Sequence, residues 1–440
     1  MNTTSFEDVG VIESVQTGWM TKLPALLRIL GAGALIVAMY GFLVRGWQSG
    51  NDVSRYLMLL GHTGLLAAIG LASGHWLKEA KGARLLVTLA LVSVPVNFAI
   101  LGAFIFSQTA GVELAYYPQY VAWSVDSLST ALLTAGGALW VLVPITLLGF
   151  TVLVRSLSRP LSGLFLVSNA VLLLPLRDPQ AIAVVAGVLA IGVLMFSRKA
   201  AEHQTAAKTQ EGITALGLQL LPLGVLLGRS LWLYAFDLFL ATVLAATVFF
   251  TLRQVSLYLQ SGSRLRNLLD AASLIPALWL MPLLGRAVFQ TGMIPDAWVI
   301  PLGTVVSALL VQDIARRSTA YVMQYQRLAM GILLLGLIGN LLLCSETLAA
   351  LACVGVGIAA MLYGHHLRQL TLFGGGALLV VVGLLHQALD LIRHFDLGSW
   401  ISLAVIGVVA IVAASILESQ SRTLRLRFEA WRGQLKEWRL

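Results

Sequence analysis

Charged residues are scarce in this chain. Asp, Glu, Lys and Arg make up 11% of it, against about 25% in a typical soluble domain, whereas 58% of the residues are hydrophobic. The 440 residues contain many apolar runs, and a run of about 20 such residues crosses the core of a bilayer as a helix. The composition therefore excludes an ordinary soluble domain and predicts an all-α polytopic transmembrane bundle.

Motifs that mark several enzyme and metal-site classes are also missing. The sequence has no P-loop, no GxGxxG after a strand, no HExxH and no CxxC pair, and its seven histidines lack metal-ligand spacing. The two cysteines, Cys344 and Cys353, form no disulfide framework and are interpreted as small packing residues. We therefore expect no catalytic residue, no metal site and no cofactor, and an enzyme is the less favoured class.

Fourteen apolar segments are candidate membrane spans. Four of them are only sixteen residues long, and for 161–176 and 213–228 this length indicates either a thinned bilayer or a partly re-entrant segment. Two very short external turns are predicted at 177–179 and 228–230. A count of twelve spans is also possible. It would keep Lys and Arg concentrated in every second polar segment only if two neighbouring spans were both removed from the count. The candidate spans are 23–44, 56–77, 84–107, 128–154, 161–176, 180–197, 213–228, 230–252, 267–285, 297–312, 328–343, 347–364, 371–392 and 399–417.

Lys and Arg are distributed unevenly between alternate polar segments. Numbered from the N-terminus, the odd segments hold 22 of these residues and the even segments hold six. Cytoplasmic loops keep an excess of Lys and Arg, so both termini are predicted to be cytoplasmic. The net charge of +9 then follows from topology, which favours anionic lipids of the cytoplasmic leaflet as partners over nucleic acid.

The sequence predicts three regions: a cytoplasmic segment at 1–22, a transmembrane domain at 23–417 and a basic amphipathic helix at 418–440. Five large apolar residues of the last region share one helical face, because they are spaced four and three residues apart. Such a helix would lie on the membrane surface, or alternatively dock a partner protein. The five residues are Leu424, Phe428, Trp431, Leu435 and Trp438.

Few charged side chains fall inside the predicted spans. Asp237 is placed seven residues into the span 230–252, where a protonatable carboxylate would suit proton-coupled transport. The alternative is a hydrogen bond to a neighbouring helix, or pairing with Arg229 or Arg286 at the external face. Asn97, Asn169 and Asn340 would either join helices or line a polar cavity together with Asp237.

Two further groups of titratable residues lie near span ends. His386, Asp390 and Arg393 form a compact cluster at the external face, which would either shuttle protons or pair at the headgroups. Asp270 follows Arg266 by four residues, so an ion pair within one helix is expected. Five prolines, which can break or kink helices, also fall in the spans: Pro95, Pro144, Pro222, Pro276 and Pro301.

Three stretches carry a family resemblance: GAGALIVAMYGFLVRGWQ at 31–48, GLASGHWLKEAKGARLLVTLAL at 70–91 and GSWISLAVIGVVAIVAASILE at 398–418. They resemble a broad group of bacterial multi-pass membrane proteins known only as domains of unknown function. The resemblance implies a multi-pass protein of the bacterial inner membrane and transfers no site residue.

Three functions remain open at this point. The leading hypothesis is a transporter or flippase for a small or lipid-linked substrate, with a proton-coupling carboxylate. The alternative is a non-catalytic scaffold or accessory subunit that holds partners through its spans and tail. The third is a membrane-embedded transferase, which would need clustered catalytic groups that the sequence does not reveal.

Overall fold

The protein is described here by a computed structural model that covers residues 23–44, 51–76, 80–109, 122–233, 237–344, 347–394, 408 and 411. Within these residues the regular structure is helical and no strand is formed. Thirteen helical segments of this part are long and apolar enough to cross a membrane. The prediction of an all-α polytopic bundle is therefore confirmed.

The chain divides into two compact units, Met1–Ala235 and Phe236–Leu440, called unit 1 and unit 2. The described helices of unit 1 are α1 (Leu23–Val44), α2 (Asp52–Trp76), α3 (Ala80–Thr109), α4 (Leu128–Leu153), α5 (Ser158–Ala170), α6 (Pro179–His203), α7 (Gln210–Leu218) and α8 (Leu221–Leu233). Those of unit 2 are α9 (Leu238–Tyr258), α10 (Arg264–Ala272), α11 (Leu274–Gln290), α12 (Val299–Arg317), α13 (Val322–Leu343), α14 (Thr347–Leu367) and α15 (Leu370–His394).

Each of the first thirteen predicted spans overlaps one of the thirteen segments, and the fourteenth, 399–417, lies outside the described residues except for 408 and 411. The segments predicted at 161–176 and 213–228, with sixteen residues each, are longer in the structure. Arg155–Leu173 has 19 residues and Gln210–Ser230 has 21. At about 1.5 Å per helical residue these lengths approach the roughly 30 Å of a bilayer core. Neither span therefore needs a thinned membrane.

The predicted turn at 228–230 is wrong. These residues belong to α8, which continues to Leu233, and α9 begins only at Leu238. Ser230 satisfies its hydroxyl by donating to the carbonyl of Leu226, and the Arg229 guanidinium donates to the carbonyl of Leu172 at 3.3 Å. With both polar side chains bonded in this way, the helix passes through a sequence that resembles a turn.

Several helices in the described residues begin with a side-chain cap that the sequence encodes. A cap oxygen accepts a hydrogen bond from a backbone N–H of the first turn, which has no partner inside the helix. Asp178 caps α6 by accepting from the amide of Ala181, with Pro179 as the first helical residue. The other caps of this kind are Ser127 of α4, Thr209 of α7, Asp237 of α9 and Ser263 of α10.

The five prolines expected to break or kink spans occupy two kinds of position. Pro95 and Pro144 lie inside α3 and α4, where each removes one backbone hydrogen bond. The other three, Pro222, Pro276 and Pro301, stand in the first turns of α8, α11 and α12. A first turn tolerates proline because its N–H groups have no helical acceptor, so these three do not break their helices.

Helix α3 is the centre of unit 1. It is apolar on all sides, and it packs against α2 and α4 and approaches α5 and α8. By contrast, no side chain of α1 from Leu23 to Phe42 is buried. A helix that is apolar all round is stable inside a bundle or in contact with lipid. Helix α3 is of the first kind, and the exposed apolar surface of α1 would suit contact with lipid.

Two glycines bring α11 and α12 of unit 2 into close contact. A Cβ atom added to Gly285 of α11 would lie 1.8 Å from the carbonyl oxygen of Val299 in α12. A Cβ atom added to Gly303 of α12 would lie 1.8 Å from the carbonyl oxygen of Met281 in α11. Both distances are far below contact distance, so this antiparallel crossing requires glycine on both helices.

Candidate functional site

Unit 2 contains a cavity of about 280 Å³ between α12, α13, α14 and α15. The volume is near the lower end of small-molecule sites, which run from about 300 to 1,000 Å³, so the cavity would hold part of a larger ligand. Its lining is almost entirely apolar. It consists of Val305, Ala308, Leu309, Gln312, Ala329, Leu333, Val356, Ala359, Ala360, Tyr363 and Leu372.

The helices α12 and α14 provide matching walls. Each contributes four lining residues spaced as i, i+3, i+4 and i+7, so that they share one face of the helix. The two sets correspond one to one, since each α14 residue lies 51 positions after its α12 counterpart. Because successive helices joined by short turns alternate in direction, α12 and α14 run parallel. The walls extend over about 10 Å, at 1.5 Å per residue, towards the predicted cytoplasmic ends of both helices.

The side chain of Gln312 is the polar exception inside this cavity. Only 7% of Gln312 is exposed, and among the described residues neither its Nε2 nor its Oε1 has a hydrogen-bond partner. A buried amide without partners is costly, typically by about 1–3 kcal/mol, and such groups in proteins are usually paired. The amide therefore presents its NH2 group as donor and its carbonyl oxygen as acceptor to whatever fills the cavity.

Arg316 and Tyr363 bridge the two walls one turn beyond Gln312. The guanidinium of Arg316 donates to the hydroxyl of Tyr363, and its Cζ lies 5.3 Å from the centre of the tyrosine ring. Beside the cavity, Leu309 is 62% exposed and Ala359 is also exposed. In a bilayer this apolar opening would face acyl chains, while the Arg316–Tyr363 bridge would lie towards the headgroups.

A second polar centre of unit 2 joins α9 to α12. Arg253 of α9 donates to both carboxylate oxygens of Asp313, at 2.8 and 3.3 Å. Arg317 places its Nε 3.0 Å from Asp313 Oδ2 and donates from Nη1 to Ser256 of α9 at 3.1 Å. This arrangement uses one carboxylate to hold two guanidinium groups at the predicted cytoplasmic end.

Asp270 of α10 extends the same network. Its Oδ1 lies 3.9 Å from Nη1 of Arg317, and only 1% of the residue is exposed. The expected ion pair with Arg266 is therefore wrong, because Arg266 donates instead to the carbonyl of Arg317 at 3.1 Å and to Ser261 at 2.8 Å. In the described part of the chain, neither Asp270 oxygen accepts a hydrogen bond of normal length; Arg317 is its ion-pair partner, and Arg266 is a further nearby positive charge.

Asp237 does not lie inside a helix. It precedes α9 as its N-cap, where Oδ1 accepts from the amides of Phe239 and Leu240, the latter at 3.3 Å. The predicted position seven residues into a span is therefore wrong, since the span was started at 230 and the helix begins at 238. Capping explains a carboxylate at this position without any transport role.

The three asparagines are buried and make separate hydrogen bonds. Asn97 of α3 donates to Thr63 of α2 at 3.0 Å, which fits the interpretation that it joins helices. Asn169 donates to the carbonyl of Phe165 at 2.7 Å, and Asn340 donates to that of Ala297 at 3.1 Å. These bonds tie each amide to its own neighbours, and none of them links it to Asp237.

The other predicted groups are described only in part. His386 and Asp390 lie one turn apart on α15, and both are partly buried. The side chain of Arg393 and the whole tail with Leu424, Phe428, Trp431, Leu435 and Trp438 lie outside the described residues. No group of three or more His, Cys, Asp and Glu that could hold a metal occurs in the part of the chain that the structure describes.

Sequence reasoning missed the residues of the cavity. Gln312 was the last residue of the predicted span 297–312, and nothing distinguished it from a polar residue at a membrane edge. A usable signal was present, since Val305, Ala308, Leu309 and Gln312 form one helical face with a single polar member. The matching face of α14 could then have suggested that the two helices enclose something.

Comparison with known proteins adds no relative to these observations, because no protein-family model, curated protein or solved structure matches the chain significantly. The resemblance to uncharacterised bacterial multi-pass proteins stays a prediction.

Proposed function

We propose that this protein is a transporter or flippase for an amphipathic, lipid-like substrate in the bacterial inner membrane. The cavity of unit 2 holds part of the apolar chain of the substrate. The observation that carries the proposal is the buried Gln312 amide, which lacks a protein partner among the described residues while every neighbour in the cavity except Tyr363 is aliphatic. Such a combination suits a hydrocarbon chain that bears one carbonyl or hydroxyl group.

The shape of the site supports the same assignment. The apolar side opening beside Leu309 gives a lipid access from the bilayer, with no need to pass through water. A purely structural bundle would gain by packing this space and pairing the amide, since an unfilled void loses dispersion contacts on its lining. An apolar recess that carries one unpaired buried amide thus favours a protein that binds and releases a ligand over an inert scaffold.

The charged centre of unit 2 does not favour a transferase. Asp313 is held by Arg253 and Arg317, and Asp270 lies against Arg317. Carboxylates engaged in this way stabilise the bundle, whereas a general base must be within reach of a substrate proton. Transport of an amphiphile therefore remains the better proposal.

The proposal is tested by replacing the Gln312 amide with an apolar side chain of similar size. Proteoliposomes carry fluorescent phospholipid in both leaflets, and dithionite bleaches the outer leaflet, so extra bleaching measures flipping. We expect Gln312→Leu to slow flipping by about tenfold, the effect of one lost hydrogen bond to the substrate. The same variant should melt at an unchanged or higher temperature, because it removes an unpaired buried amide.

Gln326→Leu is the matched control. Gln326 is also 7% exposed and belongs to unit 2, but it does not line the cavity. It should leave the flipping rate unchanged. The proposal is overturned if Gln312→Leu flips lipid at the wild-type rate, or if wild-type proteoliposomes bleach no further than protein-free liposomes.

A further inference from the structure

The position of Arg316 relative to the cavity identifies a second half of the site. Arg316 follows Gln312 by four residues on α12, so the two side chains project from the same face about 6 Å apart along the axis. Tyr363, which lines the cavity and is the α14 counterpart of Gln312, receives the hydrogen bond from Arg316. Towards the predicted cytoplasmic end of α12, the apolar cavity is therefore followed by the Gln312 amide and then by the Arg316 guanidinium.

The charge of Arg316 is not neutralised in the structure. Its contacts are the ring and the hydroxyl of Tyr363, both uncharged, and within the described ranges no carboxylate forms an ion pair with it. The next arginine, Arg317, behaves differently because it is committed to Asp313 and Asp270. Arg316 is exposed at the predicted cytoplasmic headgroup level, where a guanidinium binds phosphate oxygens through paired donors.

The hydroxyl of Tyr363 suits the same ligand. It accepts from Arg316, and its own proton is available to a phosphate oxygen beside the guanidinium. One turn deeper, the Gln312 amide can donate to an ester carbonyl or accept from a glycerol hydroxyl. The order of groups along the site is therefore phosphate, polar linkage and apolar chain.

We propose that Arg316, Tyr363 and Gln312 select a phosphate-bearing amphiphile, with its phosphate at Arg316, its ester or glycerol oxygen at Gln312 and part of one chain in the cavity. This inference rests on the proposed function and names the substrate class of that site. The phosphate could belong to a membrane lipid or to a small soluble phosphate ester, and the lining of the cavity favours the lipid.

The test measures binding of three probes to the full chain in detergent by native mass spectrometry. The probes are dioleoyl phosphatidylglycerol, dioleoylglycerol and glycerol 3-phosphate, which carry chain plus phosphate, chain alone and phosphate alone. The wild type should bind the phospholipid at least about tenfold more tightly than either single-feature probe, as one charge-assisted contact implies. Arg316→Gln should reduce the preference over dioleoylglycerol to near unity.

Arg327→Gln is the control for general attraction of anionic lipid. Arg327 is an exposed residue of α13 in the same unit and does not line the cavity, so its variant should keep the preference. Tyr363→Phe keeps the ring beneath Arg316 but lacks the hydroxyl, and it should lose part of the preference. This second variant tests the phosphate assignment independently of Arg316.

The outcomes separate the two proposals. If the wild type binds dioleoylglycerol as well as the phospholipid and Arg316→Gln has no effect, the phosphate assignment is wrong while the cavity still holds a chain. If glycerol 3-phosphate binds as tightly as the phospholipid, the cavity is not part of the phosphate site and this inference is overturned. If neither dioleoyl probe binds and Gln312→Leu changes nothing, the proposed function itself fails.

Discussion

The two units of the molecule solve the problem of buried polar groups in different ways. In unit 1, Thr63 of α2 accepts from Ser93 and from Asn97 of α3, at 2.9 and 3.0 Å, so uncharged groups join the helices. In unit 2, Arg317 lies between Asp313 and Asp270, so charged groups do so. Neutral bonds can be lost singly, whereas a buried charge without its partner carries a large desolvation cost. The comparison predicts that unit 2 is the more sensitive to single substitutions.

The partners of the arginine side chains also differ between the two units. In unit 1, Arg55 and Arg177 place their guanidinium groups over the rings of Trp123 and Phe106, at 4.1 and 4.3 Å. Two ion pairs in the described part of unit 1, Arg84–Glu211 and Arg198–Glu202, are partly exposed. Exposed pairs contribute little to stability. The described ion pairs of unit 2, by contrast, include Asp270, of which 1% is exposed, and Arg317, whose side chain is 9% exposed.

The largest effect is expected for Arg317→Met, which tests this dependence directly. Arg317 is only 9% exposed in its side chain, and its loss removes the ion-pair partner of the buried Asp270. The free energy of unfolding should fall by roughly 3–5 kcal/mol, as for other broken buried pairs. Thermal unfolding of the detergent-purified protein measures the change.

Adding Asp270→Asn to Arg317→Met should restore much of this loss, because the unpaired charge is removed. Arg198→Met breaks an exposed pair of unit 1 and should leave the melting temperature unchanged. If Arg317→Met is as mild as Arg198→Met, or if the second substitution restores nothing, the contrast between the units is not one of buried charge.

The spans were predictable because apolar length is a local property of the sequence. The boundary at 228–230 was not, because Gly, Arg and Ser favour a turn locally, and the acceptor that keeps Arg229 in α8 is the carbonyl of Leu172. The partner of Asp270 was missed for the same reason. Arg266 stands four residues away and Arg317 lies on another helix, so proximity in sequence suggested the wrong cation.

The cavity also could not be predicted from local sequence alone. Its walls come from α12 and α14, and each wall follows an ordinary helical spacing that the sequence displays. That these two faces meet, and that they leave space at Gln312, depends on how α13 and α15 pack against them. Helical periodicity predicts which residues share a face, and tertiary packing decides which faces adjoin and how completely they fill the space between them.

A smaller effect is expected in unit 1 from Thr63→Val, which sharpens the comparison. The substitution keeps the shape but removes the acceptor shared by Ser93 and Asn97. Ser93 and Asn97 keep bonds to the carbonyls of Ala90 and Ser93 in their own helix, so the loss should be roughly 1 kcal/mol. A loss as large as that of Arg317→Met in the same unfolding measurement would contradict the view that neutral bonds act singly.

The smallest effect is expected for Asp237→Asn, and it separates the two roles considered for this carboxylate. As an N-cap, Asp237 is replaceable by Asn, which caps about equally well, whereas Asp237→Ala should cost about 1 kcal/mol. As a proton carrier it would not be replaceable, since an amide does not titrate. We expect Asp237→Asn to retain both its melting temperature and its rate of lipid flipping under an imposed pH gradient. Loss of flipping at an unchanged melting temperature would instead restore the proton-coupling role, and it would place a functional charge of unit 2 at the start of α9, away from the Arg317 network.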